Sequence, residues 1–329
     1  MPRARRLCGM ALAAAAFSVL AGAQGVHAEP SEWLSRMGEA VQTLNYEGTF
    51  VHMHAGEVET LYIIHRHADG RSSERLVSMD GAGREIIRHE DEVTCILPDR
   101  GLVLVEHRRD RNPLQAALPA YSEEVADYYE FSIGGVERVA GRSARVLTIA
   151  PRDDYRYGFR LWLDEASAMP LKTQMRDTDG NIVEQLLFTN IRLPESIPES
   201  ALDATTSTEG FTWLRREREP GDVRVAWRAG NLPGGFQLKA STVSRIDGAP
   251  HVVQQLVYSD GLAAVSVFVE EGGGESEAEW PLGLARMGGA NAYSLRISGR
   301  MITAVGEVPA LTVRTIAESL EENGEADDR

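Results

Sequence analysis

Cysteine and lysine are scarce in this chain of 329 residues. The two cysteines are Cys8 and Cys95, and Cys8 falls in an amino-terminal segment that we expect to be cleaved off. A single remaining thiol cannot form an internal disulfide, so burial of apolar side chains must stabilise the fold. We expect Cys95 to be a small core residue in a strand, the usual environment of a free cysteine. The two lysines, Lys172 and Lys239, leave little scope for lysine chemistry.

Motifs typical of common enzymes are missing as well. The chain has no Gly-x-Ser-x-Gly nucleophile elbow and no Gly-Lys-Ser/Thr of a phosphate-binding loop. His89-Glu90 lacks the second histidine of a zinc peptidase helix, and Gly81-x-Gly83 fits a turn better than a dinucleotide site. We therefore expect a protein that is not an enzyme, with no catalytic residues and no cofactor.

Long apolar runs are confined to the amino terminus. Three arginines precede the apolar segment Met10–Ala23, and Val26–Ala28 has the small-x-small pattern of a cleavage site, so residues 1–28 are predicted to be a signal peptide. No later run reaches about 18 apolar residues, the length of a transmembrane helix. No cysteine stands directly after the apolar segment, which argues against a lipid anchor. We expect an exported, soluble protein.

Positive charge is in deficit. The formal net charge is −15, and it becomes −18 when the three arginines of residues 1–28 are removed, because that segment carries no acidic residue. A strongly acidic chain without a basic patch argues against binding to nucleic acid and against direct attraction to anionic surfaces.

What the chain does contain is a succession of short strand-like runs. Gly141–Ile191 predicts an antiparallel meander, with an Asp-Gly hairpin signal at Asp179-Gly180. The four strands predicted there are Ala144–Ala150, Phe159–Asp164, Leu171–Arg176 and Ile182–Ile191. Before it we predict a helix at Ser31–Leu44, capped by Ser31, then six strands between Tyr46 and His107 and one at Tyr128–Ile133.

The region from Pro194 to Glu209 is rich in Pro, Ser and Thr and lacks apolar periodicity, so it is the best candidate boundary between two units. A second set of strands follows, and Pro309–Leu320 predicts a closing helix. The predicted organisation is a signal peptide (1–28), a larger domain (29–193), a linker (194–220), a smaller C-terminal domain (221–320) and a disordered acidic tail (321–329).

Two local patterns could carry binding chemistry. His52/His54 and His65/His67 are pairs at a spacing of two, so each pair shares one face of its strand. Convergence of all four imidazoles would suit zinc or copper, but polar face residues are the favoured interpretation, and we expect no metal site.

In the turn between two strands, Arg152, Tyr155, Arg156 and Tyr157 are of the types enriched at protein interfaces. Packing of the tyrosines on the core, with the arginines paired to nearby aspartates, is an equally good interpretation.

Several segments, in their order along the chain, resemble the RseB/MucB family, the periplasmic negative regulators of the sigma-E (AlgU-type) envelope stress response. These segments are Leu44–Val51, Met79–Gly81, Arg84–Arg88, Tyr157–Asp164, Leu232–Phe236, Tyr258–Leu262, Val265–Val267 and Val305–Pro309. The resemblance covers nearly the whole chain after residue 28.

This resemblance implies a β-rich α+β fold. Its larger domain would be an unclosed antiparallel β-barrel with covering helices, similar to LolA and LolB, followed by a smaller C-terminal α+β domain. It also implies a periplasmic protein that binds the anti-sigma factor RseA/MucA, shields it from site-1 proteolysis and releases it when lipopolysaccharide or another lipid is bound. A lipid or lipoprotein carrier is the alternative, and homo-oligomer formation is left open.

An open barrel needs an apolar inner face, and strand alternation offers candidates for lipid contact. The sequence leaves open which face points inward. The candidates are Phe50, Leu61, Ile63, Phe159, Leu161, Leu163 and Met175.

Overall fold

The computed structural model describes residues 29–54, 56–81, 83–107, 114, 118–119, 122–216, 227–245, 252–270 and 282–322. These residues form a sheet of twelve strands, a sheet of six strands and a two-stranded pair, together with helices. The predicted signal peptide lies outside the described residues. The sequence also predicts a short helix or lid at Asn112–Tyr121, a strand at Val223–Trp227 and a loop at Glu271–Glu279, and these lie wholly or largely outside the described residues as well.

The larger sheet consists of two antiparallel meanders joined edge to edge by strands β1 and β11. Its strands are β1 (Tyr46–His54), β2 (Glu57–Ala68), β3 (Arg71–Ser78), β4 (Glu85–His89), β5 (Glu92–Leu97), β6 (Leu102–His107), β7 (Tyr129–Val139), β8 (Arg142–Pro151), β9 (Gly158–Asp164), β10 (Pro170–Arg176), β11 (Ile182–Arg192) and β12 (Thr212–Arg216). Their order is β12-β6-β5-β4-β3-β2-β1-β11-β10-β9-β8-β7. The edge strands β12 and β7 do not pair with each other in this order, so the sheet is unclosed.

The smaller sheet lies after residue 236 and packs against a helix. Its strands are β14 (Gln237–Arg245), β15 (Val252–Ser259), β16 (Ala264–Glu270), β17 (Gly283–Met287), β18 (Ala290–Ile297) and β19 (Arg300–Gly306), in the order β14-β15-β16-β19-β18-β17. Strand β13 (Trp227–Ala229) pairs with β20 (Leu320–Glu322). The helices are α1 (Pro30–Thr43), α2 (Glu123–Ala126) and α3 (Ala310–Glu318). Val313, Ile316 and Ala317 of α3 share a core with Val265 and Ile302 of the sheet.

Helix α1 covers one face of the larger sheet, which we call the inner face. Trp33, Leu34 and Met37 are buried against Leu147 and Leu161, because their spacing places them on one side of the helix. The prediction that Ser31 caps this helix is wrong: Glu29 is the N-cap residue, it makes no side-chain capping bond, and Pro30 occupies the first turn. Proline suits this place because its missing N–H would have no helical partner there.

Residues 197–206 lie against the opposite, outer face. Ile197 and Leu202 are buried with Ile64 of β2. Arg75 donates to Glu85 at 2.5 Å, and the backbone N–H of Thr205 donates to the same carboxylate at 3.0 Å. Much of the region that the sequence suggested as a linker therefore contacts the larger sheet, although the domain boundaries themselves stay a prediction.

The predicted fold class is confirmed, with one difference in strand direction. The meander from Ala144 to Ile191 is present as β8 to β11, and its last hairpin turns at Asp177–Gly180, with Gly180 at φ +83°. Strand β12, however, runs parallel to β6, so the larger sheet is not wholly antiparallel. Glu321 and Glu322, which we assigned to a disordered tail, pair in β20 opposite Arg228 and Trp227. No helix in the described ranges is long and apolar enough to span a membrane.

We call the residues of the larger sheet, with α1, α2 and the segment up to Arg216, the larger unit. The residues from Trp227 to Glu322 are the smaller unit. All of the candidate site described next lies where these two units meet.

Candidate functional site

A buried arginine joins the two units. Arg156 lies in the loop between β8 and β9, and its side chain is 0% exposed. Its guanidinium binds Asp260 of the smaller unit, with 2.6 Å between Nη1 and Oδ2, and Asp153 of its own loop, with 2.9 Å between Nη2 and Oδ2. Nη2 also donates to the carbonyl oxygen of Gly234 at 2.7 Å. A buried charge is tolerated only when it is paired and hydrogen-bonded, and these contacts meet that condition.

Asp260 is equally well satisfied. The hydroxyl of Tyr129 donates to Oδ2 at 3.0 Å, and the backbone N–H groups of Leu262 and Ala263 donate to Oδ1 at 2.8 Å and 2.7 Å. The pKa of Tyr129 is raised, because burial and the negative charge of Asp260 both disfavour its ionised form. The tyrosine therefore remains a hydrogen-bond donor through the physiological pH range.

Aromatic rings enclose this ion pair. The guanidinium carbon of Arg156 lies 4.8 Å from the ring centre of Tyr128, 5.3 Å from that of Tyr129 and 5.5 Å from that of Phe236. Guanidinium groups stack favourably on aromatic faces, and desolvation strengthens the attraction. The rings thus hold the arginine in place and exclude water from the charged contact.

Close approach of the two units requires glycine at position 235. Gly235 has φ +82°, and a Cβ atom placed there would lie 2.5 Å from a carbon of the Tyr128 ring. Only glycine combines this backbone conformation with so short a distance to a neighbouring ring. The segment Leu232–Phe236 therefore allows the smaller unit to pack closely against Tyr128 of the larger unit.

The rest of the loop also contacts the smaller unit. Thr312 of α3 donates from Oγ1 to the carbonyl oxygen of Tyr155 at 2.6 Å. Asn291 of β18 donates to the hydroxyl of Tyr157 at 3.2 Å. Arg152 instead donates to the carbonyl oxygen of Tyr129 within the larger unit, at 3.3 Å. The structure thus uses Tyr155, Arg156 and Tyr157 at an interface inside the chain, while their assignment to an external partner stays a prediction.

A cleft of about 290 Å³ lies beside this interface and has one wall from each unit. The larger unit contributes Leu118, Pro119, Tyr157, Phe159, Met175 and Glu184, and the smaller unit contributes Leu262, Ala263, Ala264, Ser266, Val305, Gly306 and Glu307. Its lining is mixed, with apolar side chains on both walls and two carboxyl groups.

The seven residues predicted for the barrel interior share the inner face. Strand register establishes this, because Phe50 lies opposite Leu61 and Phe188, and Met175 lies opposite Phe159. Their environments differ, however. Ile63, Leu161 and Leu163 are fully buried in the core around α1, while Phe159 and Met175 line the cleft. Only these last two are placed where a ligand in the cleft would touch them.

The histidine pairs do not converge. His65 lies opposite Tyr46, with its ring stacked on the tyrosine at 4.6 Å, whereas His52 and His54 lie near the other end of β1. His52 instead meets Glu184 of β11, with 2.7 Å between Nε2 and Oε1. This hydrogen bond raises the pKa of His52, although burial works in the opposite direction. His54 lies 3.4 Å from Glu307 of the smaller unit, measured from Nδ1 to Oε1.

Sequence patterns gave no sign of Asp260, Glu184 or Glu307. Each lies more than 100 positions along the chain from its partner. The available signal was the family resemblance. Leu232–Phe236 and Tyr258–Leu262, which contribute to the interface around Arg156, are among the segments that carry it, and so is Val305–Pro309, which contains Glu307.

Comparisons with known proteins identify one family over nearly the whole chain. Residues 29–206 match the model of the MucB/RseB N-terminal domain, and residues 222–321 match that of the MucB/RseB C-terminal domain. The sigma factor AlgU regulatory protein MucB of Pseudomonas aeruginosa is 34% identical over 300 residues, which cover 89% of this chain and 91% of that protein. This relative is named as a regulatory protein and not as an enzyme.

Solved structures of MucB are also similar to this chain over most of its length. The complex of MucA and MucB from Pseudomonas aeruginosa matches with a TM-score of 0.70 at 32% identity, over 90% of this chain and all of that chain. A crystal structure of MucB matches with a TM-score of 0.58 at 32% identity, over 89% of this chain and 98% of that chain. With both family models matched in order and a relative at this identity covering most of the chain, the protein belongs to the MucB/RseB family.

Proposed function

We propose that this protein is a periplasmic regulator that binds the periplasmic part of an anti-sigma factor of the MucA/RseA type. The observation that carries the proposal is the match to MucB in its complex with MucA, which extends over 90% of this chain. A match of this extent includes both units, which supports a partner of the same kind for this chain.

The relative placement of the units supports a partner-binding state. Sequence identity is the same for the complex and for the other MucB structure, yet the TM-score is 0.70 for the first and 0.58 for the second. With equal identity and similar coverage, a lower score is what a different arrangement of the same units would produce. We infer that the contact between Arg156 and Asp260 belongs to the arrangement that binds the partner.

Shielding requires no catalytic group. A protein that covers a cleavage site slows proteolysis in proportion to the time for which the site is covered. A specific interface of standard size, about 1,600 Å² in total, is enough for this purpose. We therefore assign negative regulation to occupancy of the anti-sigma factor, which denies the site-1 protease its substrate.

Release by a lipid would act through the cleft between the units. A lipopolysaccharide acyl chain or another lipid bound there would contact Phe159 and Met175 on one wall and Leu262 on the other. A ligand changes an equilibrium only through different affinities for its two states. Because the present cleft holds only about 290 Å³, a lipid that needs more room binds better to separated units and so disfavours the partner-bound arrangement.

The test is a binding and protection experiment with the exported protein. The periplasmic segment of the anti-sigma factor is immobilised, and retention of the protein is measured with and without lipopolysaccharide. We expect retention, protection of the segment from the site-1 protease, and loss of both when lipopolysaccharide is added. Absence of retention would overturn the proposal.

A lipid or lipoprotein carrier is the second candidate, and the apolar residues of the cleft favour it. Mass spectrometry of lipid co-purified with the protein, followed by a transfer assay to a membrane acceptor, separates the two functions. Transfer without binding to the anti-sigma segment would favour the carrier.

A further inference from the structure

Two histidines and two glutamates from both units converge at one edge of the cleft. His52 and His54 lie on β1, Glu184 on β11, and Glu307 directly after β19. One ligand atom from each of His52, His54 and Glu184 lies within 4.8 Å of the other two. Glu307 reaches the group from the smaller unit, at 3.4 Å from Nδ1 of His54.

The convergence follows from strand geometry. Residues two apart on a strand point to the same side, so both imidazoles lie on one face of β1, with ring centres 5.9 Å apart. Antiparallel pairing places Glu184 directly opposite His54. The turn between β17 and β18 also touches this point, because a Cβ atom on Gly289 would lie 2.9 Å from the ring of His54.

The donor set suits a divalent transition metal. Imidazole nitrogens with carboxylate oxygens are common ligands of Zn²⁺, which prefers four of them in a tetrahedron. Bonds of about 2.0–2.1 Å place neighbouring ligand atoms roughly 3.3 Å apart. The side chains of His52, His54, Glu184 and Glu307 are between 20% and 41% exposed, so small rotations can close the present spacing.

The surrounding charge favours a cation. Glu59 lies opposite His52 and Glu57 opposite His54, so four carboxyl groups border the two imidazoles. His52 and Glu184 are in direct contact, with 2.7 Å between Nε2 and Oε1. A metal ion between the two side chains would replace this hydrogen bond and bind both groups at once.

We propose that His52, His54, Glu184 and Glu307 bind one Zn²⁺ ion that links the two units of the protein. The proposal is independent of the function proposed above, because it rests on this cluster alone. The ion would add a second contact between the larger and the smaller unit, through metal coordination, beside that of Arg156 and Asp260.

The experiment is a calorimetric Zn²⁺ titration of the protein purified without a polyhistidine tag. We expect one ion per chain at micromolar concentration or below, and a His54→Gln variant with affinity lowered by about tenfold or more. Glu307→Gln should also weaken binding, because it removes the ligand from the smaller unit. His107→Gln is the matched control: it has a single carboxylate neighbour, Glu92 at 3.9 Å, and should leave the affinity unchanged.

A second measurement separates binding from folding. Thermal unfolding of the metal-free proteins checks that each variant is folded, and added Zn²⁺ should raise the Tm of the wild type and of His107→Gln but not of His54→Gln. No uptake at submillimolar Zn²⁺, or equal uptake by His54→Gln, would overturn the site. Unchanged affinity in Glu307→Gln would overturn the link between the units.

Discussion

Glu74 of β3 is an acidic residue with almost no access to solvent. It is 4% exposed, and its Oε2 atom has no hydrogen-bond partner among the described residues. Burial raises its pKa to about 7, while the positive charge of Arg88 acts in the opposite direction. His65 lies directly opposite on β2 and is also buried, which lowers the pKa of the imidazole. On the inner face, burial thus favours the uncharged form of both a carboxyl group and an imidazole.

The titration of Glu74 predicts a loss of stability as pH rises. The pKa is about 7 in the folded protein and 4.5 in the unfolded chain, so the unfolded state releases its proton first. The contribution of Glu74 to the free energy of unfolding should therefore fall between pH 4.5 and about 7. Glu74→Gln removes this titration and should be more stable than the wild type at pH 8, by on the order of 1–3 kcal/mol.

Urea unfolding at pH 5 and pH 8 measures this effect. Glu130→Gln is the control, because Glu130 is an exposed residue of β7 and should behave as the wild type. An equal loss of stability in Glu74→Gln and the wild type between the two pH values would contradict the assignment.

At the scale of elements, the ion pair between the β8–β9 loop and the β15–β16 turn predicts an unequal series of substitutions. Arg156→Met leaves Asp260 buried and without its cation, and removal of one partner of a buried pair costs about 3–5 kcal/mol. Asp260→Asn should cost less, since Arg156 keeps Asp153. Asp153→Asn should cost least, because the side chain of Asp153 is 31% exposed and remains solvated.

Urea unfolding of the three variants checks this order. The double variant Arg156→Met/Asp260→Asn should be destabilised by about 1–3 kcal/mol less than the sum of its parts, as expected for residues in direct contact. Additive effects would mean that the two side chains act independently in solution, contrary to the geometry.

The elements themselves were largely predictable, since both strand alternation and helical spacing are local. All the strands predicted from Tyr46 to Ile191 are present, and most of their ends differ by at most a few residues. Strand β7 is the exception. It continues six residues past its predicted end, through the irregular pairing between Ile133 and Val136. Strand β12 was missed. It is an edge strand whose apolar residues Trp213 and Leu214 are both exposed, so it has no alternation to recognise.

The candidate site was less predictable, because it depends on which distant strands become neighbours. The Arg152–Tyr157 loop was recognised by its residue types, but its partner Asp260 was not, since nothing local distinguishes one aspartate from another in an acidic chain. The pairing of β1 with β11 brings His54 opposite Glu184 across 130 positions, and only the folded register defines it.

At the scale of the whole molecule, the contact between the two units has a defined steric requirement at Gly235. Buried charges, stacked rings and the close approach at Gly235 all occur at one place, so the units cannot separate slightly without breaking all of these contacts. Such an interface favours two discrete arrangements over a continuous range, which is a property that a regulatory protein can use.

The variant Gly235→Ala tests the steric requirement at the contact between the units without changing the charged residues Arg156 and Asp260. The new methyl group would lie 2.5 Å from the Tyr128 ring, so the present arrangement becomes unfavourable although Arg156 and Asp260 are intact. Gly299→Ala is the matched control: it has nearly the same backbone strain, with φ +79° against +82°, but no atom lies within 4 Å of the added carbon. Any difference between the variants beyond local strain therefore reports on the contact between the units.

If the anti-sigma factor binds the present arrangement, the apparent Kd rises as the population of that arrangement falls. Gly235→Ala should weaken binding of the anti-sigma segment by roughly tenfold if only a tenth of the molecules retain it, and small-angle X-ray scattering should show a larger radius of gyration. Gly299→Ala should match the wild type in both measurements. Larger dimensions with unchanged affinity would mean that the partner binds one unit alone, and the interface around Arg156 would then have no part in holding it.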